Sequence, residues 1–483
     1  MADASSGLRS GEKPKKQAVV LIHGIGEQRP MSTLWKLVQT VWMNDPRPDG
    51  KPRAVYSEPD EMSGIFELRR LSTNENVHGK RTDFFEYYWA HLMHGNSFGH
   101  VVGWMARLAM RPRAQVPPGL VKAWRVLQAP LLAAVLLMVL LALSAANAIL
   151  AQYLTASFIS MVTFVTLLWI TVLVAEKLFL TPVLGDAARY LSREASDIQR
   201  RQDIRAKGLA LLDELHACGK YDRIIIVGHS LGGVIGYDLI THMWGRANRR
   251  MDRPGPIQDA LKDAEEAAAA LLADPDNENV RARWRLAQRL VFDALRDAPV
   301  GEERPLWLIS DFVTLGAPLA HAQTLLAETL EEFTQSLERR EHATNPPQFE
   351  TFEGDVKRFT YCRQYGYADD PQTGPRAPHN AAVFSAVRWT NIFFPAQGIL
   401  RGDLVGGPAA PVFGPGVEDV PARAPKVGGW TPHLQYFHTE AEATPWGDPA
   451  WMDHRAALRQ GLAIEDDEVC WPVARRPGSH RTT

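Results

Sequence analysis

The sequence has few cysteines, no excess of charge of one sign and no metal-binding pattern. Its 483 residues include only three cysteines, Cys218, Cys362 and Cys470, and their spacing matches neither a disulfide framework nor a metal site. We therefore expect free thiols in a reducing compartment. The formal net charge of -2 gives no reason to expect nucleic acid as a partner. Neither a cofactor nor a metal is expected, because no motif for either is present.

Charged residues are also absent from one long stretch, residues 126–175. Two apolar segments within it, 129–150 and 157–175, are each long enough to cross a hydrocarbon core of about 30 Å. The short link between them, 151–156, carries no Lys or Arg. The pattern predicts a transmembrane helical hairpin over 126–176. A buried helix pair within a soluble core is the alternative.

Basic residues flank this hairpin on both sides. They are Arg107, Arg111, Arg113, Lys122 and Arg125 before it, and Lys177, Arg189 and Arg193 after it. Because Lys and Arg are retained on the cytoplasmic side of membranes, both ends of the hairpin are predicted to face the cytoplasm. The lipid bilayer is thus an expected partner, through 129–150 and 157–175. The sequence predicts no oligomeric state.

A strand, a tight turn and a helix follow one another around Ser230. The β-branched run 224–227 predicts a buried strand, and the apolar residues after Gly232 predict a helix. Between them lies G-x-S-x-G, formed by Gly228, His229, Ser230, Leu231 and Gly232. In this context the motif predicts a nucleophile elbow, where side chains at the two glycine positions would clash and the serine hydroxyl is lifted above the sheet.

A second strand, 19–22, runs into the sequence His23-Gly24-Ile25-Gly26. A hydrophobic strand that ends in His-Gly is typical of an oxyanion loop. There, a backbone N–H of Ile25 or Gly26 would act together with the N–H of Leu231, the residue after the nucleophile. A plain glycine-rich turn is the alternative, and His23 is predicted to be structural.

A serine hydroxyl needs a base, and a histidine base needs a carboxylate that fixes its tautomer. In elbow enzymes the chain order is serine, acid, histidine. His433 fits best as the base, because it lies late in the chain in a loop bounded by proline and glycine. His438 is the second candidate. His321 follows a strand but precedes any suitable late acid.

The acid should follow a late strand and precede the histidine. Asp403 meets both conditions and lies among glycines. Four other aspartates fit less well: Asp311, Asp369, Asp370 and Asp419. Of these, Asp311 falls between strand segments and could serve as a structural partner instead.

Four segments together resemble the lipase-like branch of the α/β-hydrolase fold: VVLIHGIGEQ, VGHSLGG, FVTLGAP and a late W-x-x-H-x-x-Y-F. Within that branch they are similar to lipases and to membrane-attached inositol deacylases. The resemblance covers 17–40, 180–245, 305–325 and 385–440. It implies a doubly wound, mostly parallel sheet.

The resemblance also implies roles for residues at the motif positions. Ser230 would be the nucleophile and His433 the base, with Leu231 and either Ile25 or Gly26 at the oxyanion hole. One departure concerns the acid. Relatives often carry it soon after W-x-N-x-x-x-P, whereas here the first acid after that pattern is Asp403.

The predicted fold is therefore an α/β-hydrolase with an inserted transmembrane hairpin. A late strand is expected over 382–394, a helix over about 321–340, and two amphipathic helices over 257–272 and 280–295. The predicted organisation is a flexible N-terminus (1–16), a first part of the hydrolase domain (17–125), the hairpin (126–176), a core with the elbow (177–245), a helical insertion (246–304), the remainder of the domain (305–464) and a tail (465–483).

The function this favours is a membrane-anchored serine hydrolase that cleaves carboxylic esters, of lipid or acyl type, through an acyl-enzyme. Two alternatives remain open. One is an acyltransferase or thioesterase that uses the same triad. The other is a non-catalytic membrane scaffold on a hydrolase fold.

Overall fold

The structure is a computed structural model, and it describes most of the chain apart from the apolar stretch. It describes residues 16–92, 190, 195–298 and 305–465, apart from 26–28, 46, 48–49, 328, 353–355, 363–373, 397–401, 404, 426–431 and 440–445, together with isolated residues between 110 and 128. Both apolar segments of the predicted hairpin, 129–150 and 157–175, lie outside the described residues. Within the part that is described, no helix is both long enough and apolar enough to cross a bilayer.

A nine-stranded sheet forms the centre of the fold. Among the described residues, its strands are β1 (Lys16–Ile22), β2 (Val55–Pro59), β3 (Arg69–Thr73), β4 (Thr82–Tyr87), β5 (Tyr221–His229), β6 (Ile309–Leu315), β11 (Arg388–Phe393), β12 (Glu418–Arg423) and β13 (Met452–Asp453). Four short strands lie outside this sheet: β7 (Glu350–Phe352), β8 (Val356–Arg358), β9 (Thr360–Cys362) and β10 (Arg376–Pro378). Their order across the large sheet is β13-β12-β11-β6-β5-β1-β4-β3-β2. Neighbours from β4 to β13 are parallel, and β3 runs against both β4 and β2. The predicted mostly parallel α/β sheet is confirmed.

Helices cover both faces of this sheet. They are α1 (Ser32–Val38), α2 (Ala195–Ala217), α3 (Leu231–Ala247), α4 (Pro256–Ala273), α5 (Glu278–Arg296), α6 (Ala322–Leu325), α7 (Leu330–Glu338), α8 (Ala410–Phe413) and α9 (His454–Leu462). Alternate residues of β1 belong to different apolar clusters. Val20 and Ile22 belong to the cluster that contains α3, α4 and α5, whereas Val19 and Leu21 belong to the one that contains α1 and α9. A strand buried on both faces explains its unbroken apolar sequence.

The carboxyl ends of parallel strands meet at one edge of a sheet, and the residues of interest follow those ends. His23 follows β1, Ser230 follows β5 and Gly316 follows β6. After β11, the amide of Asp403 donates to the carbonyl of Phe394 (3.0 Å). Residues far apart in the sequence are thereby brought to the same edge.

The predicted helical insertion is part of the core. Its helices, α4 and α5, match the predicted pair closely. Buried residues of both helices, such as Leu261, Leu271 and Phe292, belong to the same apolar cluster as Val20 and Ile22 of β1. Gln288 of α5 donates to the carbonyl of Phe384 (2.6 Å). The insertion therefore forms a structural layer on the sheet.

Two predicted elements differ in the structure. The predicted strand over 382–394 is shorter, because a 3-10 turn at Val383–Ser385 precedes β11. The predicted helix over 321–340 is broken into α6 and α7. A new helix starts after Thr329, whose hydroxyl accepts a hydrogen bond from the amide of Glu332 (3.0 Å) and caps α7.

Side chains from the central strands hold the carbonyl groups at the end of α9. Arg223 of β5 donates to the carbonyls of Leu462 (3.1 Å) and Ala463 (3.2 Å). Gln17 of β1 donates to the carbonyl of Ile464 (2.7 Å). These bonds satisfy carbonyl groups that have no partner within a helix at its C-terminal end.

Candidate active site

Ser230 lies at the turn between β5 and α3 in a strained backbone conformation. Its φ of 55° and ψ of -127° lie in a region that residues with a side chain rarely adopt. A methyl group on Gly232 would overlap the carbonyl oxygen of Ile22, and one on Gly228 would lie 2.5 Å from the Cα of Gly233. Glycine is therefore required at both motif positions by close backbone packing, as the elbow geometry demands.

The predicted base and acid are paired. Nδ1 of His433 lies 2.8 Å from Oδ2 of Asp403. Since an ionised carboxylate only accepts hydrogen bonds, Nδ1 carries the proton in the neutral ring and Nε2 is left bare. The His433 side chain retains 18% of its surface exposed, whereas Asp403 has none. Nε2 of the ring is thus left without a proton, and its other nitrogen is fixed by a buried acid.

Asp403 is held ionised by its surroundings. Its burial favours the neutral acid and would raise its pKa, but the adjoining His433 and three hydrogen bonds outweigh this and hold the pKa below its usual range. Besides His433, the donors are the amide of Val405 (2.8 Å) and the hydroxyl of Tyr436 (2.8 Å). Gly316, at a φ of 54°, leaves room for the carboxylate, because a methyl group there would lie 2.6 Å from Oδ2.

Tyr436 is a site residue to which the sequence analysis assigned no role. Its hydroxyl donates to Asp403 and accepts from the amide of Phe394 (3.1 Å), and its ring stacks on that of Phe394 at 4.1 Å. The only sequence signal was its place three residues after His433 in W-x-x-H-x-x-Y-F. Tyr436 therefore orients the acid and fixes it to the end of β11.

The serine and the base lie on backbone segments that contact each other. Nε2 of His229, the residue before Ser230, lies 2.9 Å from the carbonyl oxygen of His433. Nε2 of His433 is buried and has no hydrogen-bond partner among the described residues, so the Ser230 hydroxyl does not donate to it in this structure. Bonds between a nucleophile and its base are often long in a free enzyme and shorten when substrate binds.

The predicted oxyanion loop runs against Ser230. A methyl group on Gly24 would lie 3.0 Å from Cβ of Ser230. Ile25 is half-buried, and Gly26 lies outside the described residues. Leu231 is the first residue of α3, so its amide N–H has no acceptor within the helix. The amides of Leu231 and Ile25 thus belong to segments that meet at Ser230.

His23 has a structural place in this loop. Its Nδ1 lies 2.7 Å from the carbonyl oxygen of Gly24, and its Nε2 accepts from the amide of Trp89 (3.3 Å). The rings of His23 and Trp89 stack with their centroids 5.1 Å apart. Burial lowers the pKa of His23 to about 4, so the ring stays neutral and fixes the carbonyl beside the loop amides.

The other candidates that the structure describes do not join this group. Asp311 lies near the amino end of β6, where it binds Arg223 (2.8 Å) and Arg388 (2.7 Å). Asp419 accepts from Asn391 (2.7 Å) and from two amides at the start of α8. The remaining candidates are His438, whose carbonyl is bound by His454 (2.9 Å), His321 in the 3-10 turn before α6, and Asp369 and Asp370, which lie outside the described residues.

Four histidines with lowered pKa values, of which His23, His229 and His379 are buried and His216 is half-buried, indicate that the fold loses stability in mild acid. Burial lowers the pKa of His23, His216 and His379 to about 4 and that of His229 to about 3. Below pH 6.5 the unfolded chain binds protons that the folded chain does not, so the free energy of unfolding falls as the pH falls. Glu86 acts in the opposite direction, because burial raises its pKa to about 7. The histidines outnumber it.

We expect the free energy of unfolding, measured by urea titration with tryptophan fluorescence, to fall by on the order of 3–5 kcal/mol between pH 7 and pH 5. His379→Gln keeps a donor for the carbonyl of Gln348, which Nε2 of His379 contacts at 2.9 Å, but cannot bind a proton. This variant should show a shallower pH dependence than the wild type. Equal stability of the wild type at both pH values would contradict the prediction.

The edge of the sheet at Ser230 therefore brings together a strained serine, a histidine with a bare nitrogen, a buried ionised acid and two loops with backbone N–H groups. Within the described part of the chain, no group of three His, Cys, Asp or Glu side chains is arranged to hold a metal ion. No protein-family model, no curated protein and no solved structure matches the chain.

Proposed function

We propose that this protein is a serine hydrolase that cleaves carboxylic esters, with Ser230 as nucleophile, His433 as base and Asp403 as the orienting acid. One observation carries the proposal. A strained serine lies at a strand-to-helix turn, and the side chain of the residue before it is hydrogen-bonded to the backbone carbonyl of His433. The ring of His433 is in turn hydrogen-bonded to Asp403. The order of the three residues along the chain is the order found in elbow hydrolases.

In the proposed mechanism, Oγ of Ser230 attacks the ester carbonyl carbon and its proton passes to Nε2 of His433. The N–H of Leu231, with that of Ile25 or Gly26, stabilises the negative charge on the carbonyl oxygen. The intermediate then collapses, and His433 gives the proton to the leaving alcohol. Water, deprotonated by His433, attacks the acyl-enzyme and releases the acid and the free serine.

The enzyme is further proposed to be anchored in a membrane and to act on lipid or acyl esters. The support is the sequence of 129–150 and 157–175, which is apolar, free of charge and flanked by Lys and Arg. Such a hairpin would hold the catalytic domain at the cytoplasmic surface, where amphiphilic esters are concentrated.

The proposed chemistry is tested by labelling the detergent-solubilised full chain with a fluorophosphonate probe. Wild type should be labelled at Ser230, and Ser230→Ala should not be labelled, because phosphonylation needs an activated serine. A series of p-nitrophenyl esters of increasing chain length would then identify the preferred acyl group. A folded wild type that is not labelled would indicate a non-catalytic scaffold.

The proposed topology is tested with single cysteines in a chain whose native cysteines are replaced. Tyr56 is exposed in β2, and Gln152 lies in the link between the apolar segments. In intact cells a membrane-impermeant maleimide should label Gln152→Cys and should label Tyr56→Cys only after permeabilisation. Labelling of Tyr56→Cys in intact cells would overturn the orientation, and recovery of the chain outside the membrane fraction would overturn the hairpin.

A further inference from the structure

His229 is a buried residue of the elbow motif that the proposed mechanism leaves without a role. It is the final residue of β5, and only 5% of its surface is exposed. Its ring lies 5.0 Å from that of His433 and 5.4 Å from that of Phe437. Its Nε2 is 2.9 Å from the carbonyl oxygen of His433. His229 thus contacts the base-bearing loop directly, although 204 positions separate the two histidines.

The contact fixes the tautomer of His229. A carbonyl oxygen only accepts hydrogen bonds, so Nε2 must carry the proton. Burial, followed by the nearby His433, lowers the pKa of His229 to about 3, and the ring stays neutral at physiological pH. When His433 takes the serine proton, it therefore gains its positive charge beside a neutral ring.

The other side of the ring is closed by backbone. A methyl group on Gly24 would lie 2.9 Å from Nδ1 of His229, so the loop after β1 packs directly against this nitrogen. The ring is thus held between the Gly24 segment and the loop of His433. It has little freedom to rotate away from the carbonyl.

The base-bearing loop, residues 432–439, is held at a second point. Nε2 of His454, at the start of α9, lies 2.9 Å from the carbonyl oxygen of His438. Asp403 fixes the ring of His433, but the backbone of that residue is held by His229. Because His229 directly precedes Ser230, this bond joins the backbone of the proposed base to the segment that carries the proposed nucleophile.

We propose that His229 is a positioning residue, which holds the backbone of His433 at a fixed place relative to Ser230 through its Nε2–H bond. The proposal rests on the proposed hydrolase function. A displacement of about 1 Å between reacting groups can reduce turnover about 10²-fold, so a bond at this place has a kinetic effect beyond its effect on stability.

The test compares His229→Gln with His229→Asn in the full-length, detergent-solubilised protein. The Gln amide reaches the position of Nε2 and can donate to the carbonyl of His433, whereas the Asn amide is too short. We expect His229→Asn to lower kcat for a p-nitrophenyl ester about 10²-fold with little change in KM, and His229→Gln to recover most of it.

The matched controls are His379→Gln and His379→Asn. His379 is similarly buried and its Nε2 also lies 2.9 Å from a backbone carbonyl oxygen, that of Gln348, away from the site. These variants should alter the unfolding midpoint and leave kcat unchanged. If His229→Gln and His229→Asn have the same kcat, the positioning role is overturned.

A measurement on the wild type tests the proposed hydrogen bond of His229 without depending on the folding of a variant. The ¹⁵N shifts of the imidazoles should place the proton of His229 on Nε2 from pH 5 to pH 8. A proton on Nδ1 would overturn the proposal, because the bond to His433 could not exist. Absence of fluorophosphonate labelling in the wild type would instead remove the hydrolase function itself, so the two failures are distinguishable.

Discussion

Asp403→Asn is expected to lower kcat for ester hydrolysis about 10⁴-fold while the protein remains folded. The carboxylate accepts from His433 and Tyr436 at Oδ2 and from the amide of Val405 at Oδ1. Asn has only one oxygen, so its NH₂ group must face one of these donors. If it faces His433, the proton of the ring moves to Nε2, and the bare nitrogen that the reaction needs is lost.

Steady-state kinetics with a p-nitrophenyl ester measure this loss, and circular dichroism verifies the fold. Asp419→Asn is the matched control, because Asp419 also binds backbone amides near this edge of the sheet but does not contact His433. We expect its kcat to stay close to that of the wild type. A large loss in Asp419→Asn together with an active Asp403→Asn would mean that the acid is assigned wrongly.

Asp311→Ala is expected to lower the free energy of unfolding by about 3–5 kcal/mol. Asp311 is fully buried between Arg223 and Arg388 and also accepts from Ser310. These partners outweigh the effect of burial and hold its pKa below the usual range. Its removal leaves two buried guanidinium groups without their carboxylate, and their charge cannot be neutralised by loss of a proton.

Urea unfolding of Asp311→Ala beside Asp213→Ala isolates the effect of burial. Asp213 also pairs with an arginine, Arg246, but both side chains are about half exposed. Exposed pairs contribute about 0–1 kcal/mol, so Asp213→Ala should change stability little. Similar losses in the two variants would show that the buried network contributes no more than a surface pair.

The parts of the fold that could be predicted depend on local sequence. Unbroken β-branched runs such as 224–227 predicted strands buried on both faces, and the insertion showed clear helical periodicity. Ser230 was found because its motif, strand and helix are contiguous. The predicted ends of helices and strands were less accurate. The helix expected over 321–340 is interrupted, since the hydroxyl of Thr329 competes for a backbone amide.

The parts that could not be predicted depend on contacts between distant segments. Chain order placed Asp403 before His433, and the structure places the two side chains 2.8 Å apart. The bonds of Tyr436 to Phe394 and of His229 to His433 depend on how loops fold over the sheet edge, which no local pattern specifies. The same holds for the Asp311 network, because its members become neighbours only through the order of β5, β6 and β11.

The hydrogen bond from Gln17 to the carbonyl of Ile464 joins positions 447 residues apart. On a ribosome that adds about 5–20 residues per second, β1 therefore waits roughly 20–90 s before this partner has been made. During that time an apolar central strand has no complete sheet to enter. We expect folding of this domain to finish only after synthesis of the α9 segment, and the nascent chain to depend on chaperones that shield β1 from pairing with other chains.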